Sequence, residues 1–432
     1  MNKISVFWFR RDLRLHDNVG LFHALKAEEK TLPIFIFDPN ILSELAKDDA
    51  RVSFIHDQLS KMNQYLHSFG AKIHIYNGKP KDIFQSLLKK YQIVDVYTNH
   101  DYEPYAIKRD LEVGELLSLN SIQFHTFKDQ VIFERNEITK QDGKPYVVYT
   151  PYSKKWLEAY RQNKKRNYLS EDLLDQFSTE TESKALTLED IGFTQTEAPI
   201  QEYIFNSRII NEYEETRNYP YLDNTSKLGP HLRFGTVSIR QMVTRASEEE
   251  NLTFLKELIW REFFMQILWH FPHTHTDSFK SKYDRIHWRN NEQEFKKWCD
   301  GETGYPLVDA GMRQLNKTGF MHNRVRMLVG SFLCKHLLID WRWGEAYFAE
   351  KLHDYEMASN VGNWQWVAGT GVDAAPYFRI FNPTTQIQKF DKDLKYIKKW
   401  APDFQELTYP TPIVDHKFAR ERCLKAYKEA LA

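Results

Sequence analysis

The chain has 432 residues, 59 basic and 59 acidic, so its formal net charge is zero. That length can bury two or three cores, and the balanced charge excludes a global positive field as the means of holding nucleic acid. Aromatic residues make up 15%, with 11 Trp, a supply that suits stacking on planar ligands and a large helical core alike.

The three cysteines, Cys299, Cys334 and Cys423, lie far apart and form no CxxC pair. Neither a disulfide framework nor a metal site is expected. The opening MNKISVFWFRRDLR has too short an apolar run for a signal peptide, and no run reaches transmembrane length. The expectation is a cytoplasmic protein of bacterial type, with no membrane association.

Strands and helices alternate from residue 1 to about 130. Residues 4–9, 32–37, 72–76, 93–97 and 122–127 read as strands, and 17–27, 50–69, 80–90 and 104–119 as helices. Such alternation predicts an α/β domain with a Rossmann-like parallel sheet covered on both faces. No GxGxxG follows the first strand and no GxxxxGK[ST] occurs, so a ligand here must meet the strand C-termini without a phosphate-cradling loop. Residues 131–200 are polar and read as a partly irregular linker. Within it, Lys164, Lys165 and Arg166, and the stretch 178–184, read as solvated charge. From 201 to 432 the pattern is helical throughout, with apolar spacing over 254–269, 292–298, 307–315, 323–338 and 343–355. The predicted architecture is an α/β domain over 1–130, a linker over 131–200 and a larger all-helical domain over 201–432.

Four stretches of the helical part carry chemistry. DYEMASNVGNWQWVAGTGVDAAPYFR, at 354–379, sets Asp354, Glu356 and Asn360 among small residues, with Trp364 and Trp366 on different sides of any regular element. ELIWREFF puts Glu257, Trp260, Arg261 and Phe264 on one helical face. A face with an acid, a Trp and an Arg suits the wall of a cavity for a polar heterocycle. MHNRVRM puts Asn323, Arg326 and Met327 together, with Arg324 turned aside. An Asn amide both donates and accepts, as base edges and flavin rings require, and arginines pair with carboxylates or phosphates. TSKLGPHLRFGTVS begins as a polar turn whose Thr225 and Ser226 can hold a pyrophosphate. Trp298, Trp341 and Trp364 lie on three separate segments, and spacing does not say whether they meet.

Taken together, these stretches resemble the DNA photolyase and cryptochrome family. FWFRRDLRLHDN at 7–18, YTPYSKKW at 149–156, TSKLGPHLRFG at 225–235, ELIWREFF at 257–264, WCDGETGYPLVDAGMRQL at 298–315, TGFMHNRVRM at 318–327, DWRWGE at 340–345 and the 354–379 stretch carry the resemblance. It covers nearly the whole chain. It implies FAD held in the helical domain and light-driven electron transfer to a cyclobutane pyrimidine dimer flipped out of UV-damaged DNA. By resemblance, Tyr213 and the turn Thr225, Ser226, Lys227, Leu228 and Gly229 would hold the FAD phosphates and ribityl. Asp354, Tyr355 and Glu356 would bound the flavin, with Arg326 as partner of Asp354, and Asn360 would sit at the flavin N5. Glu257 and Asn323 would hydrogen-bond the dimer. Trp260 and Trp366 would flank it and Met327 touch it, while Arg217, Arg261 and Arg324 would face the DNA. Trp364, Trp341 and Trp298 would relay electrons from the surface.

The pair His322-Asn323 with Met327 and Trp260 looks most like class I enzymes for cyclobutane dimers. The alternative is a blue-light cryptochrome photoreceptor without repair. Departures are Phe320 where many relatives have Trp, Asn363 where Gly is common, and Ala106 where folate-binding relatives have Glu. The second chromophore is thus open between folate, deazaflavin, a flavin and none. No obligate protein partner is expected, and a monomer is.

Overall fold

The computed structural model describes residues 3–162, 167–179 and 185–432. The charge run at 164–166 and most of 178–184 lie outside the described residues. The chain forms two compact units: Met1–Glu137, Glu158–Glu202 and Leu228–Glu248 in the first, and Ile138–Leu157, Tyr203–Lys227 and Glu249–Ala432 in the second.

The first unit is built on a parallel sheet of five strands: β1 (Lys3–Phe9), β2 (Thr31–Phe37), β3 (His74–Asn77), β4 (Gln92–Asn99) and β5 (Gln123–Phe127). Their order is β3-β2-β1-β4-β5. Central β1 is buried from Ile4 to Phe9, as a near-continuous apolar run requires when helices cover both faces. Its Phe7 lies opposite Pro33 on β2 and Tyr97 on β4.

The strand order reverses between β1 and β4, where such sheets open a crevice. Here the chain's own charges converge. Arg10 donates to Asp110 and to the Asn99 carbonyl. Arg11 meets Asp101 and Glu103 at 3.1 Å each, and Arg233 takes the same Glu103 at 2.9 Å. Burial raises the Asp101 carboxyl, but Arg11 and Arg10 outweigh it and hold the group well below the usual range. Arg14 grips Asp129 at 2.8 and 2.7 Å. Gly235 is needed beside them: its φ is +64°, and a Cβ would lie 2.1 Å from the Arg11 carbonyl oxygen. The FRRDLR motif is thus spent on tying this crevice together.

The second unit is helical, around a core that includes Trp298, Leu328, Phe332, Trp341, Phe348 and Trp364. Two differences from the sequence reading matter. The expected helix over 323–338 is α-helical only over Asn323–Ser331 and continues as a π-helix over Phe332–His336. That wider turn carries Lys335 and His336 at 0% exposure. The segment expected as linker contains the helix Tyr149–Gln162, whose Tyr149, Tyr152 and Trp156 are buried.

Among the described residues no helix is long and apolar enough to cross a membrane. No group of three or more metal-ligating side chains occurs among them. All three cysteines are buried and free.

Candidate functional site

Helix Thr253–His270 is apolar almost all round and is buried over most of its length. Glu257, Trp260 and Arg261 form a half-buried strip along it. Arg261 is turned to Glu356, with Nε–Oε2 at 3.0 Å and Nη2–Oε1 at 3.3 Å. The guanidinium expected to face DNA thus already pairs with a buried carboxylate, which offsets part of the cost of burying that charge. Glu257 is paired with Arg217. Burial raises its carboxyl, and Arg217 opposes the shift.

Trp260 lies flat on Tyr149, ring centroids 3.6 Å apart and planes 6° from parallel. Tyr149 is fastened at both ends: its N–H donates to Asp373 Oδ2 at 3.0 Å and its hydroxyl to the Lys256 carbonyl at 2.7 Å. Phe263 meets Trp260 edge-on at 5.6 Å. A Trp so braced is a rigid platform at low entropic cost to a stacking ligand.

The start of helix Asn323–Ser331 is set by His322, whose Nδ1 accepts from the Arg324 N–H at 3.1 Å. Burial, then the charges of Lys227, Arg326 and Arg324, lower the imidazole to about 3, so it caps as a neutral ring. Asn323 is exposed and Met327 half-buried. Arg326 spends its donors on the Met321 carbonyl at 2.7 Å and on Asp354 at 3.1 and 2.9 Å. The expected Arg326–Asp354 pair is thus present as a two-pronged contact.

Arg324 differs. It reaches the Asn218 amide oxygen and the Met327 sulfur at 3.8 Å, and it covers the Phe390 ring at 4.4 Å. Its buried Nε has no partner. Burial, then the charges of Arg217 and Arg379, pull its pKa down. Arg324 thus feels two further guanidiniums, of which Arg217 is balanced by Glu257, and the local positive potential is one that the zero net charge of the chain conceals.

The Tyr213 hydroxyl is raised by burial, and Arg217 lies over its ring at 5.3 Å. In the polar turn, Asp223 and Lys227 both take positive φ, 47° and 56°, a local strain of the kind that gathers at ligand clamps. Lys227 pairs with Asp223 at 2.6 Å and sits 3.7 Å over the Phe320 ring. Ser226 accepts the Ile204 N–H on its carbonyl at 2.8 Å. Leu228 and Gly229 fall to the other compact unit. The buried Thr225 hydroxyl has no partner. Such an orphan costs about 1–3 kcal/mol, and a bound phosphate or hydroxyl oxygen would remove that cost. A phosphorylated cofactor fits this turn.

Glu356 is the N-cap residue of helix Met357–Ala368. One turn on, Asn360 donates its Nδ2 to the Glu345 carbonyl at 3.1 Å and carboxylate at 2.9 Å. A backbone carbonyl only accepts, so this contact fixes the amide orientation and leaves Oδ1, an acceptor, for any ligand. Trp364 on this helix is buried and Trp366 half-buried, the inward and outward division expected. Tyr355 and Trp366 both pack at the rim of the core.

Trp364 meets Trp298 at 6.1 Å and 68°, with Phe348 against both, at 4.9 Å from Trp364 and 6.1 Å from Trp298. Gly344 makes room for this: a Cβ there would lie 2.1 Å from the Trp364 ring. Trp341 is 1% and Trp298 0% exposed. Both rings are enclosed, so neither is itself a solvent-facing end of the expected relay. Phe295 stacks on Trp298 and meets half-buried Trp343 at 5.2 Å.

Residues 5–170 match the family profile described as DNA photolyase, and residues 254–408 that of the FAD binding domain of DNA photolyase. The deoxyribodipyrimidine photo-lyase of Halobacterium salinarum is 34% identical, with 99% of each chain covered. That of Escherichia coli is also 34% identical, with 98% of each covered. The chain belongs to the DNA photolyase family. A class III photolyase from Agrobacterium tumefaciens shares its fold at a TM-score of 0.87 and 32% identity, covering 100% of this chain and 98% of that one. An archaeal photolyase from Sulfolobus tokodaii, solved with two FAD molecules, gives 0.84 at 33%, covering 99% and 100%.

For a photolyase-family chain, three site neighbours were missed in the sequence: Tyr149 beneath Trp260, Glu345 behind Asn360, and Arg379 near Arg324. YTPY and DWRWGE were visible as motifs, but nothing in one sequence says which side chain they stand against.

Proposed function

We propose that this chain is a light-dependent photolyase that repairs cyclobutane pyrimidine dimers in UV-damaged DNA. When bound, reduced FAD would supply, on excitation, the electron that splits the dimer, and take it back. The chain's own residues do the rest. Thr225 and Lys227 hold anionic oxygens of the cofactor, with Tyr213 beside them. Arg326–Asp354 and Glu356–Arg261 are two neutralised pairs that bound the flavin, with Tyr355 alongside. The free Oδ1 of Asn360 would accept from a protonated flavin nitrogen, which would favour the reduced cofactor. Glu257 and Asn323 hydrogen-bond the flipped bases, Trp260 and Trp366 flank them, and Met327 closes the contact. Arg217 and Arg324 meet the flanking phosphates. Trp364, Trp341 and Trp298, all enclosed, would be the inner members of a relay that carries electrons to an oxidised flavin.

The observation that carries this reading is Trp260, braced flat by Tyr149 one turn from Glu257. Stacking is worth about 1–3 kcal/mol per base, comparable to the cost of unstacking an already distorted lesion. The protein acts as a cytoplasmic monomer without an obligate partner, with residues 1–130 as an antenna-type domain. The test is repair of a thymine dimer in a short oligonucleotide under blue light by FAD-loaded, reduced protein. Repair in light and none in darkness is expected. Flavin photoreduction with an intact lesion would favour the photoreceptor reading instead.

A further inference from the structure

The arginine cluster has an anchor in the core of the helical unit. Arg379 lies in the segment between helices Met357–Ala368 and Pro383–Phe390, with Phe378 beside it 61% exposed. This segment has no regular structure apart from turns. Its backbone is held from inside. Lys335, on the π-helix and at 0% exposure, donates its Nζ to the Arg379 carbonyl at 2.9 Å. Tyr377 stacks on buried Tyr427 at 5.6 Å and 10°. Tyr427 in turn donates its hydroxyl to the Ala368 carbonyl at 2.7 Å, where the segment leaves the helix.

An ammonium in such a place works against folding unless its contact is needed. Burial lowers Lys335 to about 8, with Cys423 and Cys334 opposing and Arg379 adding to the shift. A methionine of similar length would fill the volume without that burden. The charge is therefore explained by the carbonyl it holds, and that carbonyl belongs to Arg379, an exposed residue whose guanidinium lies over Phe381 at 5.4 Å and whose charge is felt at Arg324.

We propose that Lys335 is a positioning residue for DNA: from within the core it fixes the backbone that presents Arg379 to the phosphate shared with Arg324. This rests on the DNA-repair reading above. Lys335 touches neither cofactor nor DNA; it acts through Arg379.

The test uses the full FAD-loaded chain as wild type, Lys335→Met, Arg379→Ala and the double variant. Binding to a short duplex with one thymine dimer, and to the same duplex undamaged, is measured at several salt concentrations, alongside flavin content and Tm. Lys335→Met should keep flavin and a Tm at or above wild type. It should weaken both duplexes about tenfold and lower the salt slope by about one, as losing one phosphate contact does. Arg379→Ala should do the same, and adding Lys335→Met to it should change nothing further. Unchanged binding in Lys335→Met, or a joint fall in Tm, flavin and affinity, overturns the proposal. If Lys335→Met does not fold, Arg379→Ala with an unchanged slope overturns it alone. If wild type binds neither duplex, the repair reading itself fails.

Discussion

Arg261→Met isolates the electrostatics of the buried Arg261–Glu356 pair. Glu356 is 6% and Arg261 12% exposed in their side chains, with two contacts between them at 3.0 and 3.3 Å. Methionine keeps most of the apolar stem, so little cavity opens and the change is mainly one of charge. Removing one partner of a buried pair costs about 3–5 kcal/mol, because the other charge stays behind. Glu356 retains its place at the start of helix Met357–Ala368, where the helix dipole returns about 0.3–1 kcal/mol. The expected loss is therefore about 3 kcal/mol, read as the shift in urea midpoint times the slope, with and without FAD. Glu356→Gln added to Arg261→Met should recover about half of it by removing the stranded charge. A loss below about 1 kcal/mol, or no recovery in the double variant, would refute the claim that this pair is a neutralising unit.

Trp260→Ala removes the braced platform and should weaken lesion binding about tenfold to a hundredfold while FAD stays bound; flavin loss in a fluorescence assay would show the ring serves the cofactor instead. Trp364→Phe should block photoreduction of oxidised flavin, followed by its visible spectrum, yet leave repair by already reduced protein intact. Lys335 gives a pH signature in stability. Its folded-state pKa is lowered from 10.5 to about 8, so between those values the unfolded chain binds the extra proton and stability rises with pH. Wild type should gain roughly 3 kcal/mol across that window relative to Lys335→Met, and parallel urea curves for the two proteins would contradict it.

The α/β half was open to reading because its strands and helices obey periods of 2 and 3.6 with Gly and Pro between them. Residues 80–90 and 104–119 were placed to the residue. The π-helix at Phe332–His336 was not, since 323–338 keeps helical apolar spacing throughout and the change of pitch answers to packing around it. Tyr149, Tyr152 and Trp156 do show helical spacing, but the charges around them outweighed it. In the site, Arg326–Asp354 came from resemblance and is present in the geometry. Arg261 could not be oriented in advance, because both DNA and Glu356 are acceptors for a guanidinium and only tertiary structure chooses. That Trp298 is enclosed was not legible for a related reason: spacing along a helix says nothing of what later segments cover it.

Gly344 leaves the Trp364 indole no neighbouring methyl. Electron hopping between rings falls steeply with separation, so this one hydrogen atom in place of a carbon sets how near the helix Trp341–Lys351 can carry its own aromatics to the indole. An alanine there would push this helix and the Trp364 ring apart without altering any other aromatic residue. If the relay proposed above operates, its speed is thereby adjustable at a position that takes no part in the chemistry.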